Sequence, residues 1–299
     1  LRAVSGESLS FRLVAILFPI FGIVAAGYFY ARHHKPEMAV ANRLNMDVFV
    51  PALVFAAMAG KSFDLVAYAP LAMGGFLVLA TCGLLAWPLA KLIGSQPKTL
   101  VPPMMFNNSG NIGLPLAVLA WGEDALPAAV ILFMVENTLH FSLGARLLDP
   151  HARLLTLWRV PVVAAAIAGL AVAILKIPIW QPFVIAIKML GDVSVPLLLF
   201  SLGVRMTDVS FREWKLATGS AVLRPMAGML IAAAAIQLLG LQGRDAAMLL
   251  VFGALPPAVL NFLFAERYKQ EPERVASIVL IGNLAALIFL PLALALVLR

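Results

Sequence analysis

Charged and turn-forming residues cut the chain into long apolar runs. A helix that crosses a bilayer needs about 20 mostly apolar residues. At that length ten segments emerge, at 11–31, 39–60, 66–92, 100–121, 126–147, 159–176, 182–205, 215–239, 245–265 and 274–298. The pattern predicts an all-α polytopic membrane protein with ten transmembrane helices. The longest connections, near Asp149–Trp158 and Met206–Trp214, leave no room for a soluble domain.

Composition points to the same solvent. Of 299 residues 62% are hydrophobic and 12% charged, with mean hydropathy +0.97, whereas soluble domains carry about 25% charged residues. One soluble core cannot hold that much apolar surface. A soluble enzyme, a disordered chain and a disulfide scaffold are excluded, the last also because Cys82 is the single cysteine. Cys82 reads as core filler, and His33-His34 lacks the further ligands a metal site needs, so no metal and no cofactor is expected. The 20 Pro and 21 Gly suit membrane helices, which tolerate both. The Trp residues fall mostly near segment ends, as an aromatic belt requires.

The net charge of +7 is an orientation signal and not a nucleic-acid patch. Of 22 Lys and Arg, 15 lie beside the odd-to-even connections, among them Arg43, Lys98, Arg153, Arg159, Arg212 and Arg274, with Arg224 assigned to that side. The other 7, from Arg2 to Arg299, lie opposite. The positive-inside rule then places both termini outside the cytoplasm of a cell-membrane protein. Leu1–Ser10 lacks the regions of a signal peptide.

The two halves repeat. Asp47–Phe55 (segment 2) and Asp192–Phe200 (segment 7) agree at six of nine positions at an offset of 145. Leu114–Leu119 and Leu255–Leu260 agree at five of six at an offset of 141, and Asn137 and Asn283 lie 146 apart. The unit is five helices, an odd number, so the second copy enters the membrane inverted. Residues 1–148 form the first repeat, 149–158 a cytoplasmic linker and 159–299 the second repeat. Inverted five-helix repeats are the signature of secondary transporters working by alternating access.

Such carriers bind substrate near the midplane, where helices of both halves break. Segment 4 carries Asn107, Asn108, Ser109, Gly110, Asn111, Gly113 and Pro115; segment 9 carries Pro256, Pro257 and Asn261. Proline removes a backbone donor and clashes with the carbonyl four residues back, so breaks are expected around Gly110–Pro115 and Pro256–Pro257. Freed backbone groups survive in lipid only where they line a cavity or meet side-chain amides. Half-helix N-termini favour an anion, and the break regions hold Asn and Ser but no carboxylate. Asn107, Asn108, Asn111, Gly113, Pro115, Pro256, Pro257 and Asn261 are the candidate binding residues.

Ionisable residues at membrane depth are expensive and therefore candidates for function. Glu136 and His140, four apart on one helix face, read either as a proton relay or as a hydrogen-bonded core pair. Arg224 either pairs with a substrate carboxylate or snorkels to the interface. Asp47 and Asp192, each four residues before a proline, read as a structural pair that satisfies backbone freed by Pro51 and Pro196 or bonds across the pseudo-two-fold axis.

Asn108–Leu116 resembles the first crossover of the auxin efflux carrier family, and Leu255–Tyr268 resembles its second; the resemblance extends over essentially the whole chain. That family includes plant auxin exporters and bacterial permeases proposed to carry malonate, malate and similar acids. The resemblance implies a carrier fold like that of bile-acid and sodium–proton antiporter proteins, with scaffold helices 1, 2, 6 and 7 and transport helices 3–5 and 8–10. It also implies elevator-type movement and homodimers packed through the scaffold. By motif position Asn108 matches the asparagine that lies near the auxin carboxylate in plant carriers. Asn261 stands where those carriers have proline, and Pro257 where they have a polar residue. The long central loop of many plant members is absent.

The sequence therefore predicts a secondary transporter of small organic anions, not an enzyme, with membrane lipid as its surroundings and no nucleic-acid partner. A sodium- or proton-coupled symporter and a non-transporting sensor of organic acids are the alternatives.

Overall fold

The computed structural model describes residues 8–59, 65–151, 160–207 and 213–298. Most of the linker 149–158 and the basic residues Arg2, Lys61, Arg153, Arg159, Arg212 and Arg299 lie outside the described residues. The described chain is helical: α1 (Leu9–His34), α2 (Ala39–Leu44), α3 (Val50–Met58), α4 (Leu65–Leu92), α5 (Pro97–Met105), α6 (Leu114–Trp121), α7 (Leu126–Leu139), α8 (Ala145–Leu148), α9 (Pro161–Ile174), α10 (Gln181–Arg205), α11 (Trp214–Leu239), α12 (Gly243–Ala254), α13 (Leu260–Arg267) and α14 (Pro272–Val297).

Seven helices among the described residues are long and apolar enough to cross a membrane, where the hydrophobic pattern predicts ten. The difference has three sources. Segment 4 is interrupted between α5 and α6, segment 9 between α12 and α13, and α9 has only 14 residues, about 21 Å at 1.5 Å per residue. Phe18 (72% exposed), Leu230 (70%) and Ile288 (69%) stand on the outer surface. A soluble protein does not display apolar side chains on this scale; hydrocarbon accommodates them, and the chain is a multi-pass membrane protein.

The helices pack in two sets. One set joins α1 to α10 and α3 to both α9 and α10; the other joins α11 to α4, α12 and α14, and α4 to α5 and α7. Small residues decide the closest crossing, as expected where lipid removes the hydrophobic drive between helices. A Cβ on Gly203 of α10 would sit 1.9 Å from the Val24 carbonyl oxygen, and one on Gly27 of α1 would sit 2.2 Å from that of Phe200.

Two prolines are accommodated by a widened turn. Before Pro51 the helix opens over Asn45–Phe49, with Val50 N–H reaching back five residues to Asn45 C=O. Before Pro115 it opens over Ser109–Gly113, with Leu114 N–H reaching Ser109 C=O. A five-residue turn of this kind makes room for a ring that would strike the fourth carbonyl back. Asp47 has no part in it. It is exposed on the widened turn, and Asp192 pairs with Lys188 at 3.1 Å on its own helix. The bonds between this segment and α10 are made instead by Asn45, whose amide donates to Ser194 C=O at 3.4 Å, and by Ser201, whose hydroxyl donates to Asn42 Oδ1 at 2.6 Å.

Candidate functional site

Both interruptions are extended stretches, and they meet. Phe106, at the end of α5, has φ −90° and ψ 122°; Leu255, at the end of α12, has φ −59° and ψ 142°. Leu255 is pushed there because Pro256 follows it. Asn107 and Pro257 form an antiparallel bridge. Asn108 N–H donates to Pro256 C=O at 2.7 Å, and Ala258 N–H donates to Phe106 C=O at 3.0 Å. The first break thus lies at Phe106–Asn108, ahead of the expected Gly110–Pro115. Pro115 follows directly on the widened turn Ser109–Gly113, which makes room for its ring.

Side-chain amides complete the crossing reciprocally. Asn107 donates to Phe252 C=O at 2.8 Å, from the first break to the end of α12. Asn261 donates to Phe106 C=O at 3.2 Å and to Ala258 C=O at 3.0 Å, from the second break to the end of α5. Asn108 donates to Asn283 Oδ1 at 2.9 Å. Asn283 in turn donates to Pro257 C=O at 3.0 Å and Val279 C=O at 2.7 Å. Backbone groups that lipid would leave orphaned are satisfied by Asn107, Asn261 and Asn283, with Asn108 holding Asn283 in place. A Cβ on Gly282 would lie 2.5 Å from Pro257 Cδ, so glycine there lets α14 reach the second break.

Asn107, Asn108, Pro256, Pro257 and Asn261 are therefore brought together. Gly113 joins them through its N–H to Asn108 C=O at 3.1 Å, whereas Asn111 is half-buried and Pro115 lies a turn beyond. Asn283 is a site residue that the motif reading missed, although its repeat relation to Asn137 was a signal. Asn137 itself only bonds back to Phe133 C=O at 3.0 Å.

Of the two positions expected for Arg224, snorkelling to the interface is not the one it takes: the residue is 0% exposed. Nη1 donates to Gly253 C=O at 2.7 Å and to Leu255 C=O, placing a cation on the negative C-terminal end of α12. Nε and Nη2 are buried donors with no protein partner, and Asn107 Oδ1 and Asn261 Oδ1 are acceptors in the same condition. Glu136 and His140 are also buried, joined by a 2.9 Å bond from His140 Nδ1 to Glu136 Oε1. Ser109 donates to the second carboxylate oxygen at 3.4 Å.

The space beside the crossing is small: about 20 Å³ bounded by Ser109, Gly113, Phe252 and Leu255. A larger cavity of about 420 Å³, with Met104, Lys215, Ser220 and Arg274 in its wall, opens between α4, α5 and α11. It reaches within two residues of Phe106. Among the described residues no cluster of His, Cys, Asp or Glu is arranged to hold a metal.

Sequence comparison matches residues 151–294 to the family described as Membrane transport protein. The chain is 26% identical over 177 residues to "Auxin efflux carrier component 6" of Arabidopsis thaliana, covering 57% of this chain and 29% of that protein. It is 25% identical over 301 residues to "Putative malonate transporter" of Rhizobium meliloti (strain 1021), covering 91% of this chain and 92% of that one. The match spans under a third of the plant carrier's length and nearly all of the bacterial protein.

Proposed function

We propose that this multi-pass membrane protein is a transporter like the auxin efflux carrier and malonate transporter relatives it is similar to, and that it carries small organic anions across the plasma membrane by alternating access. The cargo class is carboxylates such as malonate, malate or auxin-like acids. One observation carries the choice of an anion. Arg224 is a fully buried guanidinium bonded only to carbonyls, with Nε and Nη2 unpartnered. Leaving buried donors without acceptors is costly, and a carboxylate on that free edge supplies two acceptors in fork geometry. The backbone N–H groups of Ser109, Gly110 and Asn111, which open the helix Ser109–Trp121, lie at the positive end of its dipole.

The packing of α1, α3, α9 and α10 as one set and of α4, α5, α7, α11, α12 and α14 as another supports an elevator, with the first set as scaffold and dimer interface. The internal repeat supports two inverted five-helix halves with ten spans, the interrupted segments included, and both termini extracytoplasmic. A cation-coupled symport is the second reading, favoured by the buried unpartnered oxygens of Asn107 and Asn261.

Uptake of labelled malonate, malate and an aromatic acid into proteoliposomes tests the proposal. At least one acid is taken up above protein-free vesicles, and Asn108→Ala and Asn111→Ala lower its uptake. Binding without uptake would favour a sensor; unchanged uptake in both variants would sink the assignment of these asparagines.

A further inference from the structure

Glu136 and His140 form a titratable pair that anion binding itself leaves unused. They are 3% and 0% exposed. His140 Nδ1 lies 2.9 Å from Glu136 Oε1, and where the carboxylate is the acceptor the imidazole's proton sits on Nδ1. Nε2 is buried without a partner. A permanently charged ring would bury an unpaired N–H there, which is costly; a neutral ring presents a lone pair that can take one proton.

The pair touches the crossing on two sides. Ser109, which opens the helix after the first break, donates to Glu136 Oε2. The His140 ring stacks on Phe106, with centroids 4.1 Å apart and planes 10° apart, and the Phe106 carbonyl is the one that receives Asn261 and Ala258. Phe264 of α13 closes another edge at 4.9 Å. The charged group facing the pair comes from α11: Arg224 lies within electrostatic reach of Glu136, and also of Cys82 on α4. Ser109, Phe106 and Phe264 contribute no titrating group.

We propose that Glu136 and His140 are the proton carrier of an anion–proton symport, an inference that rests on the anion reading above. On the side to which the carrier opens, His140 Nε2 takes a proton from water; on the other side the same nitrogen returns it. No bond to the anion forms or breaks. Before loading, Arg224 and Glu136 cancel; one bound carboxylate leaves the group at −1, and one proton on His140 restores zero. Unneutralised charge at this depth is expensive, so anion and proton raise each other's affinity reciprocally. Because His140 is fully buried in this conformation, its proton exchanges only when the carrier opens, which prevents a leak.

The test follows labelled malonate and an entrapped pH dye together in proteoliposomes with the membrane potential clamped. An inwardly directed proton gradient is expected to speed malonate uptake at least about fivefold in the wild-type carrier, with protons and malonate entering together. Scaled to each variant's own malonate flux, proton entry is lost in Glu136→Gln and His140→Gln and regained in Glu136→Asp. Net malonate uptake with no accompanying proton entry in the wild type, or equal proton entry per malonate in all variants, overturns the symport and leaves transport standing. Absence of counterflow in the wild type for malonate, malate and the aromatic acid alike overturns both readings.

Discussion

Asn108 donates its side-chain amide to Asn283 Oδ1 across 2.9 Å, fastening the first broken segment to the middle of α14. Asn283 simultaneously holds the carbonyls of Pro257 and Val279. One side chain thus registers both interruptions against an unbroken helix. Asn283→Ala leaves the Pro257 carbonyl without this donor in a buried setting, where an unsatisfied group costs about 1–3 kcal/mol. Thermal unfolding in detergent should show both Asn108→Ala and Asn283→Ala destabilised, with the double variant less affected than the sum. Strict additivity would separate the two residues.

Arg224 holds the end of α12 through Nη1 and leaves Nε and Nη2 for the proposed carboxylate. Arg224→Leu removes the donor to Gly253 and Leu255 and the positive charge, so it lowers both melting temperature and malonate affinity. Arg224→Lys retains a point charge without the planar fork. Malonate binding should weaken more than about tenfold in the lysine variant, measured by calorimetry on protein that remains folded. Wild-type affinity in Arg224→Lys would remove the guanidinium from the site.

Gly203 and Gly27 set how closely α1 and α10 approach. Gly203→Ala drives a methyl into the Val24 carbonyl and separates the helices, costing roughly 1–3 kcal/mol as overpacking does. Detergent unfolding curves check this. A neutral substitution would show that the two helices have slack there.

Lys188 provides a contrast. It reaches Glu123 at 3.7 Å and Asp192 at 3.1 Å, but all three side chains are more than half exposed. Exposed pairs contribute at most about 1 kcal/mol, so Lys188→Gln should leave the melting temperature almost unmoved. A drop comparable to that of Arg224→Leu would contradict this.

Segment positions were legible because apolar runs between charges are long and regular: the run read as 182–205 is α10, Gln181–Arg205. The second break was legible too, since Pro256 forces Leu255 out of helix. The first was misplaced because Pro115 drew attention, while the widened turn over Ser109–Gly113 absorbs that ring and the chain unwinds earlier, at Phe106. The aspartate pair misled for a similar reason: the turn before Pro51 satisfies its own backbone. Nothing local in sequence tells that Asn283 faces Asn108, 175 residues away, or that Arg224 reaches sideways to the end of α12.

Counterflow of labelled malonate in proteoliposomes tests the central claim most directly, because exchange across a crossing site needs neither a known coupling ion nor a known direction of net flux. With unlabelled malonate inside, the wild-type carrier should accumulate label transiently above the equilibrium level, and Arg224→Leu should not. Label that only equilibrates, at the rate of protein-free vesicles, for malonate and for every other small carboxylate tried, would contradict anion transport through this crossover.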